Sequence, residues 1–260
     1  MQSVWSDRLR AAAVVVTALA QLLSAPVTGL VLGAFGNTGA ISDANVSPVT
    51  PAGYAFGIWG LIYFASLALA LYQALPSQLS RDVHRRSGWW IASGFFCSAI
   101  WVPIFGSRMI WLSQVVIVAL VGCLSMATVR LTRLGEADSA AERGLLRLPV
   151  TLYLGWATLA TFAGFGTTLR SLGMPRQADW VTVLSVGLLL VAAAVCAAVI
   201  LRETAVAGFA FTACWALLAV AVATYEAPVR VVALLALAAV LVTLVIQVVR
   251  SRRRTAVLLG

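Results

Sequence analysis

The sequence contains no lysine, a single histidine and nine acidic residues, and charged residues make up only 10% of its 260 positions. A soluble globular domain carries about 25% charged residues, so an ordinary solvated surface is excluded. The four cysteines, Cys97, Cys123, Cys196 and Cys214, form no CxxC pair and no CxxCH haem-attachment signature. Each lies inside an apolar run and reads as a small core residue. All nine carboxylates, Asp7, Asp43, Asp82, Glu136, Asp138, Glu142, Asp179, Glu203 and Glu226, fall in loops or at the ends of apolar runs, and His84 is also placed in a loop. The interiors of the runs therefore lack the Asp, Glu and His that serve as relay points in proton pumps and many ion-coupled carriers. The same scarcity excludes paired carboxylates, metal-ligand clusters and Ser/His/Asp sets at membrane depth. Binding is favoured over catalysis, and an enzyme is not expected.

What is present is apolar. Hydrophobic residues make up 62% of the chain and the mean hydropathy is +0.98, the composition of an integral membrane protein. The net charge of +9 rests on 18 Arg that mostly separate apolar runs instead of lining one face. Membrane orientation explains them, and nucleic acid is not an expected partner. Arg8 and Arg10 followed by an apolar stretch resemble a signal peptide, yet the stretch continues from Ala11 to about Phe35. That exceeds a signal h-region, so a retained span is expected.

A hydrocarbon core needs about 20 apolar residues per helix. Eight runs qualify: 11–35, 54–75, 89–106, 109–131, 148–168, 180–201, 205–224 and 229–249. The third and fourth are joined by a tight turn near Gly106 to Arg108 and read as a helical hairpin. The expected fold is an all-α, polytopic membrane bundle. Alternating the sides from a cytoplasmic N-terminus leaves only Arg108, Arg170, Arg176 and Arg230 of the 18 Arg outside, so the positive-inside rule puts both termini in the cytoplasm. Residues 36–53 carry no Arg and mix Gly, Asn, Ser and Pro; they read as a flexible external loop, long enough to serve as a lid. Segment 132–147, with Glu136, Asp138 and Glu142 beside Arg133, Arg143 and Arg147, reads as a solvated connector.

The aromatics sort by depth. Trp5, Trp89, Trp90, Trp111 and Trp180 sit at run ends, as interfacial anchors do. Trp59, Trp101, Trp156 and Trp215 lie deeper, where each indole N–H needs a polar neighbour. At 100° per residue, Phe56, Trp59 and Tyr63 fall within about 60° of one another on a helix, while Tyr54 points away. Such a stripe can be an interface belt, a packing seam or the wall of a pocket. In "CSAIWVPIFG", Cys97, Trp101 and Phe105 share a face, and Pro103 is expected to break the helix at membrane depth. In "LGWATLATFAGFG", small residues allow close helix approach while Phe162 and Phe165 add rings toward the outer half.

Three of these segments, in order, resemble motifs of the TspO/MBR family, the tryptophan-rich sensory proteins related to the translocator protein or peripheral benzodiazepine receptor. Pro51, Trp59 and Tyr63 match its second-helix P…W-x-x-x-Y; Trp101, Pro103 and Phe105 match its W-x-P-x-F; and "WATLAT", Trp156 to Thr161, matches its W-A-T-x-A-T. The resemblance covers residues 11–170, the length of an ordinary five-helix member. It departs at Gly53 and Tyr54, at Ser98, and at Phe162 and Ala163. The resemblance implies a five-helix unit, residues 1–173, and a three-helix extension, residues 174–260, that caps the bundle, replaces a homodimer partner or adds an activity. It further implies a pocket for a porphyrin, another tetrapyrrole or a sterol-like molecule, used in sensing or transport. The wall residues would be Phe56, Trp59, Tyr63, Trp101, Phe105, Trp156 and Phe162. No cofactor is required; a bound porphyrin or haem is compatible, with Cys97 or Met109 as weak haem ligands in the absence of a nearby His. The implied partners are a hydrophobic small molecule and membrane lipid, with a homodimer left open, in a bacterial-type cytoplasmic membrane. The alternatives from other classes are an uncoupled permease or exporter, and a scaffold or sensor that presents its Arg-rich cytoplasmic loops.

Overall fold

The computed structural model describes residues 4–33 and 38–260. Ala34 and Phe35, the end of the first expected span, and the first two residues of the expected lid lie outside the described residues. The long helices are α1 (Val4–Leu32), α3 (Ile58–Ala74), α4 (Asp82–Gly106), α5 (Ile110–Arg133), α7 (Leu148–Ser171), α8 (Asp179–Arg202), α9 (Ala207–Ala223) and α10 (Ala227–Arg250). The short helices are α2 (Thr38–Ala44), α6 (Ala140–Glu142) and α11 (Arg254–Leu259). Seven of the long helices are long and apolar enough to cross a membrane, taking α3 with the 3-10 turn before it and α7 with α6. The eighth, α9, is as apolar but has 17 residues. The protein is a polytopic helical membrane bundle.

Helix α7 is the most enclosed and α10 the least. α1 packs on α3 and α4, α4 on α5, α5 on α7, α7 on α9, and α10 on both α8 and α9. The lipid-facing sides carry exposed Leu30, Val31, Phe64, Val183 and Leu235, as expected where hydrocarbon replaces water. The α7–α9 seam is close because glycine lines both sides of it. A Cβ on Gly155 would run into Thr212 and the Phe209 backbone, and one on Gly208 would meet Leu148 and Leu152. Thr212 Oγ1 donates to the Leu152 carbonyl at 3.0 Å and Thr151 Oγ1 to the Ala205 carbonyl at 2.8 Å. Small residues and hydroxyl bonds of this kind hold helices together where the hydrophobic effect is weak.

Several expectations are corrected. The α4–α5 hairpin is present, turning through Arg108 at φ 61°, but α4 runs unbroken past Pro103 to Gly106. Pro103 sits in the last turn, and its own carbonyl accepts from the Ser107 N–H, so the helix ends there without a mid-membrane break. The expected flexible lid is structured: α2 is followed by a turn in which the Ser47 N–H donates to Thr50 Oγ1 at 2.9 Å, and residues 47–51 are buried. Segment 132–147 is not simply solvated. Glu142 and Arg147 are 2% and 1% exposed and paired at 2.8 Å, and Glu142 also meets Arg81 at 2.7 Å. Asp7 is likewise buried between Arg10 at 2.7 Å and Arg85 at 2.6 Å. His84 lies in the first turn of α4, not in a loop, and is buried. These pairs tie α1, the α3–α4 turn, α4 and the α6 region together at one end of the bundle.

Candidate functional site: an aromatic cavity

At the opposite end, the rings of α3, α4 and α7 converge. Helix α3 begins only at Ile58; Gly53–Gly57 before it is a 3-10 turn that carries Tyr54 and Phe56. Phe56 therefore does not belong to the helical stripe drawn from a 100° repeat, because the chain enters the helix after Pro51 through a tighter turn bounded by Gly53 and Gly57. Tyr54 points away from the stripe, as expected, and its ring meets Trp215 edge-on at 5.5 Å.

Trp59 is the hub. It stacks on Trp101 at 5.9 Å and 26°, touches Tyr63 at 5.4 Å, and meets Tyr153 and Trp156 edge-on at 5.9 and 6.0 Å. Trp101 stacks on Phe105 at 5.0 Å and 13°, and Phe56 meets Trp156 edge-on at 6.1 Å. These are the offset and T-shaped arrangements that ring quadrupoles favour. They surround a cavity of about 340 Å³ whose wall includes Phe56, Trp59, Tyr63, Trp101, Phe105, Trp156 and Phe162. All seven ring positions singled out in the sequence thus border one space, within the size range of small-molecule sites.

The wall has a few polar points. Tyr63 Oη lies 3.5 Å from Ser98 Oγ. Behind Trp59, Tyr153 Oη donates to Gln21 Oε1 at 3.2 Å. Gln114 Nε2 donates to the Thr161 carbonyl at 3.0 Å, and its Oε1 occupies the space that a side chain at Gly164 would need. The indole N–H of Trp156, itself 1% exposed, has no hydrogen-bond partner among the described residues. Asp43, exposed on α2, is the one charged residue among the described wall positions. The described wall includes no His, Cys or Met, so neither Cys97 nor Met109 reaches the space as a haem ligand. A flat ligand here would be held by ring contact and shape.

Sequence reasoning expected a lid at residues 36–53 but not its ordered form, and it missed two further parts of the wall. Residues of α2 and the following turn, including Ser42, Val49 and Thr50, roof the space. Gln114 is not singled out by the sequence, and its pairing with Gly164 across two helices leaves no local trace. Leu189 of α8 and Ala216 and Val220 of α9 also border the cavity; as apolar residues in apolar runs they carry no signal. Of the expected anchors, Trp5, Trp111 and Trp180 are exposed at helix ends, while Trp89 is exposed about two turns into α4, which starts earlier, at Asp82. Trp90 is partly buried beneath the Arg130 guanidinium at 5.6 Å, a cation–π contact more than a simple belt position. Deep Trp215 donates to the Ala55 carbonyl at 3.2 Å.

No curated protein and no solved structure matches the chain. The profile of the TSPO-like protein family matches it over residues 10–249. That match begins in α1 and runs past residue 170, where the three-motif resemblance stops, through α8 and α9 to the end of α10. With the helical membrane bundle and the aromatic cavity already in place, a match over nearly the whole chain leads to one conclusion: the chain belongs to the family of TSPO-like proteins.

Proposed function

We propose that this TSPO-like protein binds a flat hydrophobic ligand, of the porphyrin or other tetrapyrrole class or sterol-like, in the aromatic cavity, and does so for sensing or transport and not for catalysis. The observation that carries the reading is the convergence of Phe56, Trp59, Tyr63, Trp101, Phe105, Trp156 and Phe162 around one space of about 340 Å³. Each ring stacked on a planar ligand contributes ~0.5–1.5 kcal/mol beyond area burial. Burial from water, about 25 cal/mol per Å², contributes less where lipid competes for the ligand, so shape sets selectivity.

In this reading the two parts of the chain divide the work. Residues 1–173 supply the rings, and residues 174–260 close the bundle beside them. Both termini face the cytoplasm of a bacterial-type membrane, and the roof formed by α2 and the turn after it faces outward. The test is a titration of the purified protein in detergent with protoporphyrin IX, followed by quenching of Trp emission. Saturable quenching that is lost in the Trp59→Ala, Trp156→Ala double variant supports the reading. Quenching that never saturates, or that survives the double change, returns the rings to helix packing alone.

A further inference from the structure

Helix α9 lies outside the five-helix unit, yet it touches the cavity in two ways. Gly208, Thr212, Ala216 and Val220 recur every four residues and form one stripe along it. The first two pack against α7 at Gly155 and Leu152. The last two border the cavity, where they are 3% and 5% exposed. One small-residue face thus begins as a helix–helix seam and ends as a cavity wall. The neighbouring stripe, Trp215 and Ala219, grips the roof: the Ala219 carbonyl accepts from the Ala52 N–H at 3.1 Å, and Trp215 Nε1 donates to the Ala55 carbonyl at 3.2 Å. The segment held by those two bonds carries Gly53 and leads directly into Phe56, both of which border the cavity. Trp215 also packs its ring against Tyr54, so the turn is fixed to α9 at three points immediately before Phe56.

We infer that α9 is the specificity-determining wall of the cavity, with Ala216 and Val220 setting the size of flat ligand admitted and Trp215 a positioning residue that holds Phe56 in place. The inference rests on the proposed binding role. Small side chains at 216 and 220 leave room that larger ones would fill, and an interior that is already close-packed does not yield at low cost. The N–H to carbonyl bond at Ala55 matters because it is a second bond to a carbonyl that already accepts from the Ile58 N–H within the chain's own turn, and it ties that turn to α9.

The experiment uses the full chain in detergent and two probes of different size, protoporphyrin IX and pyrene, with thermal unfolding measured on every variant. Ala216→Leu and Val220→Phe are expected to weaken protoporphyrin IX about tenfold, equivalent to about 1.4 kcal/mol, while changing pyrene much less. Ala216→Gly and Val220→Ala, which remove atoms and cannot overpack, are expected to shift the ratio of the two affinities the other way. Trp215→Phe keeps the ring against Tyr54 and removes the N–H; it is expected to weaken both probes together and leave their ratio alone. Phe211→Leu, on the exposed side of α9, is expected to leave the ratio unchanged. If the unaltered protein binds neither probe saturably, the binding role fails and this inference with it. If binding is saturable and depends on Trp59, but no change at 216 or 220 moves the ratio, the binding role stands and the inference about α9 is wrong.

Discussion

Trp59 meets four other rings from α3, α4 and α7, so its loss removes a shared contact at the junction of three helices. Trp59→Ala or Trp156→Ala is expected to cost about 1–3 kcal/mol of ligand binding, as truncation of a well-packed aromatic anchor does. Trp180→Ala, on an exposed ring at a helix end, is expected to leave affinity unchanged. Quenching titrations with melting curves alongside check both, since a core effect shows in the melt and a lost contact in the titration. The buried ions make a separate prediction. Arg147 and Glu142 are 1% and 2% exposed, and Arg147 also donates to the Gly135 carbonyl at 2.7 Å. Removing one partner strands the other charge, which costs about 3–5 kcal/mol. Glu142→Ala is expected to lower the melting temperature sharply, while Asp138→Ala, at an exposed partner of Arg81, is expected to change it little. Surface pairs are worth about 0–1 kcal/mol.

Between α7 and α9 the elements meet through Gly155 and Gly208 instead of large side chains. Gly155→Val would force the helices apart against Thr212 and the Phe209 backbone; a loss of about 1–3 kcal/mol, the usual cost of overpacking, is expected in chemical or thermal unfolding, with weakened ligand binding because α9 carries part of the cavity wall. The helices themselves were legible from the sequence, because an apolar run of membrane length has one stable backbone solution in lipid. The seven rings were legible because aromatics deep in such runs are conspicuous, although Phe56 was reached by an argument for an α-helix that the 3-10 turn does not obey. A lid was legible at residues 36–53, but its order was not. Its Ser47, Thr50 and Asn45 have the composition of a flexible loop, and their order comes from bonds such as Asn45 Nδ2 to the Ile41 carbonyl at 2.9 Å and from burial against neighbours. Nor was the contribution of α9, since an Ala on a wall and an Ala on a seam look alike in one dimension. The buried ion pairs were hidden for a similar reason: segment 132–147 is as charged as a solvated loop, and it is enclosed by residues distant in the chain, Arg81 from another connection and Gly260 against Arg143 and Arg147.

For the molecule as a whole, the Arg asymmetry predicts that reporters fused after Gly260 report a cytoplasmic location and reporters fused near Asn45 an external one; the reverse pattern would overturn the proposed orientation. The length of α9 has another consequence. At about 1.5 Å per residue its 17 residues span about 25 Å, short of the roughly 30 Å of hydrocarbon in a typical bilayer. Phe211, Leu218 and Val222 are nevertheless exposed along it, so this side of the protein meets lipid directly. Hydrophobic mismatch then falls on one flank of the bundle, and the acyl chains beside α9 must shorten or α9 must tilt. Tilt would carry Trp215 and the Phe56 turn with it. Bilayer thickness thereby becomes an allosteric variable for the cavity: reconstituted in dimyristoyl phosphatidylcholine, the protein is expected to bind protoporphyrin IX more tightly than in the long-chain dierucoyl lipid, and the Trp215→Phe variant is expected to lose most of that difference.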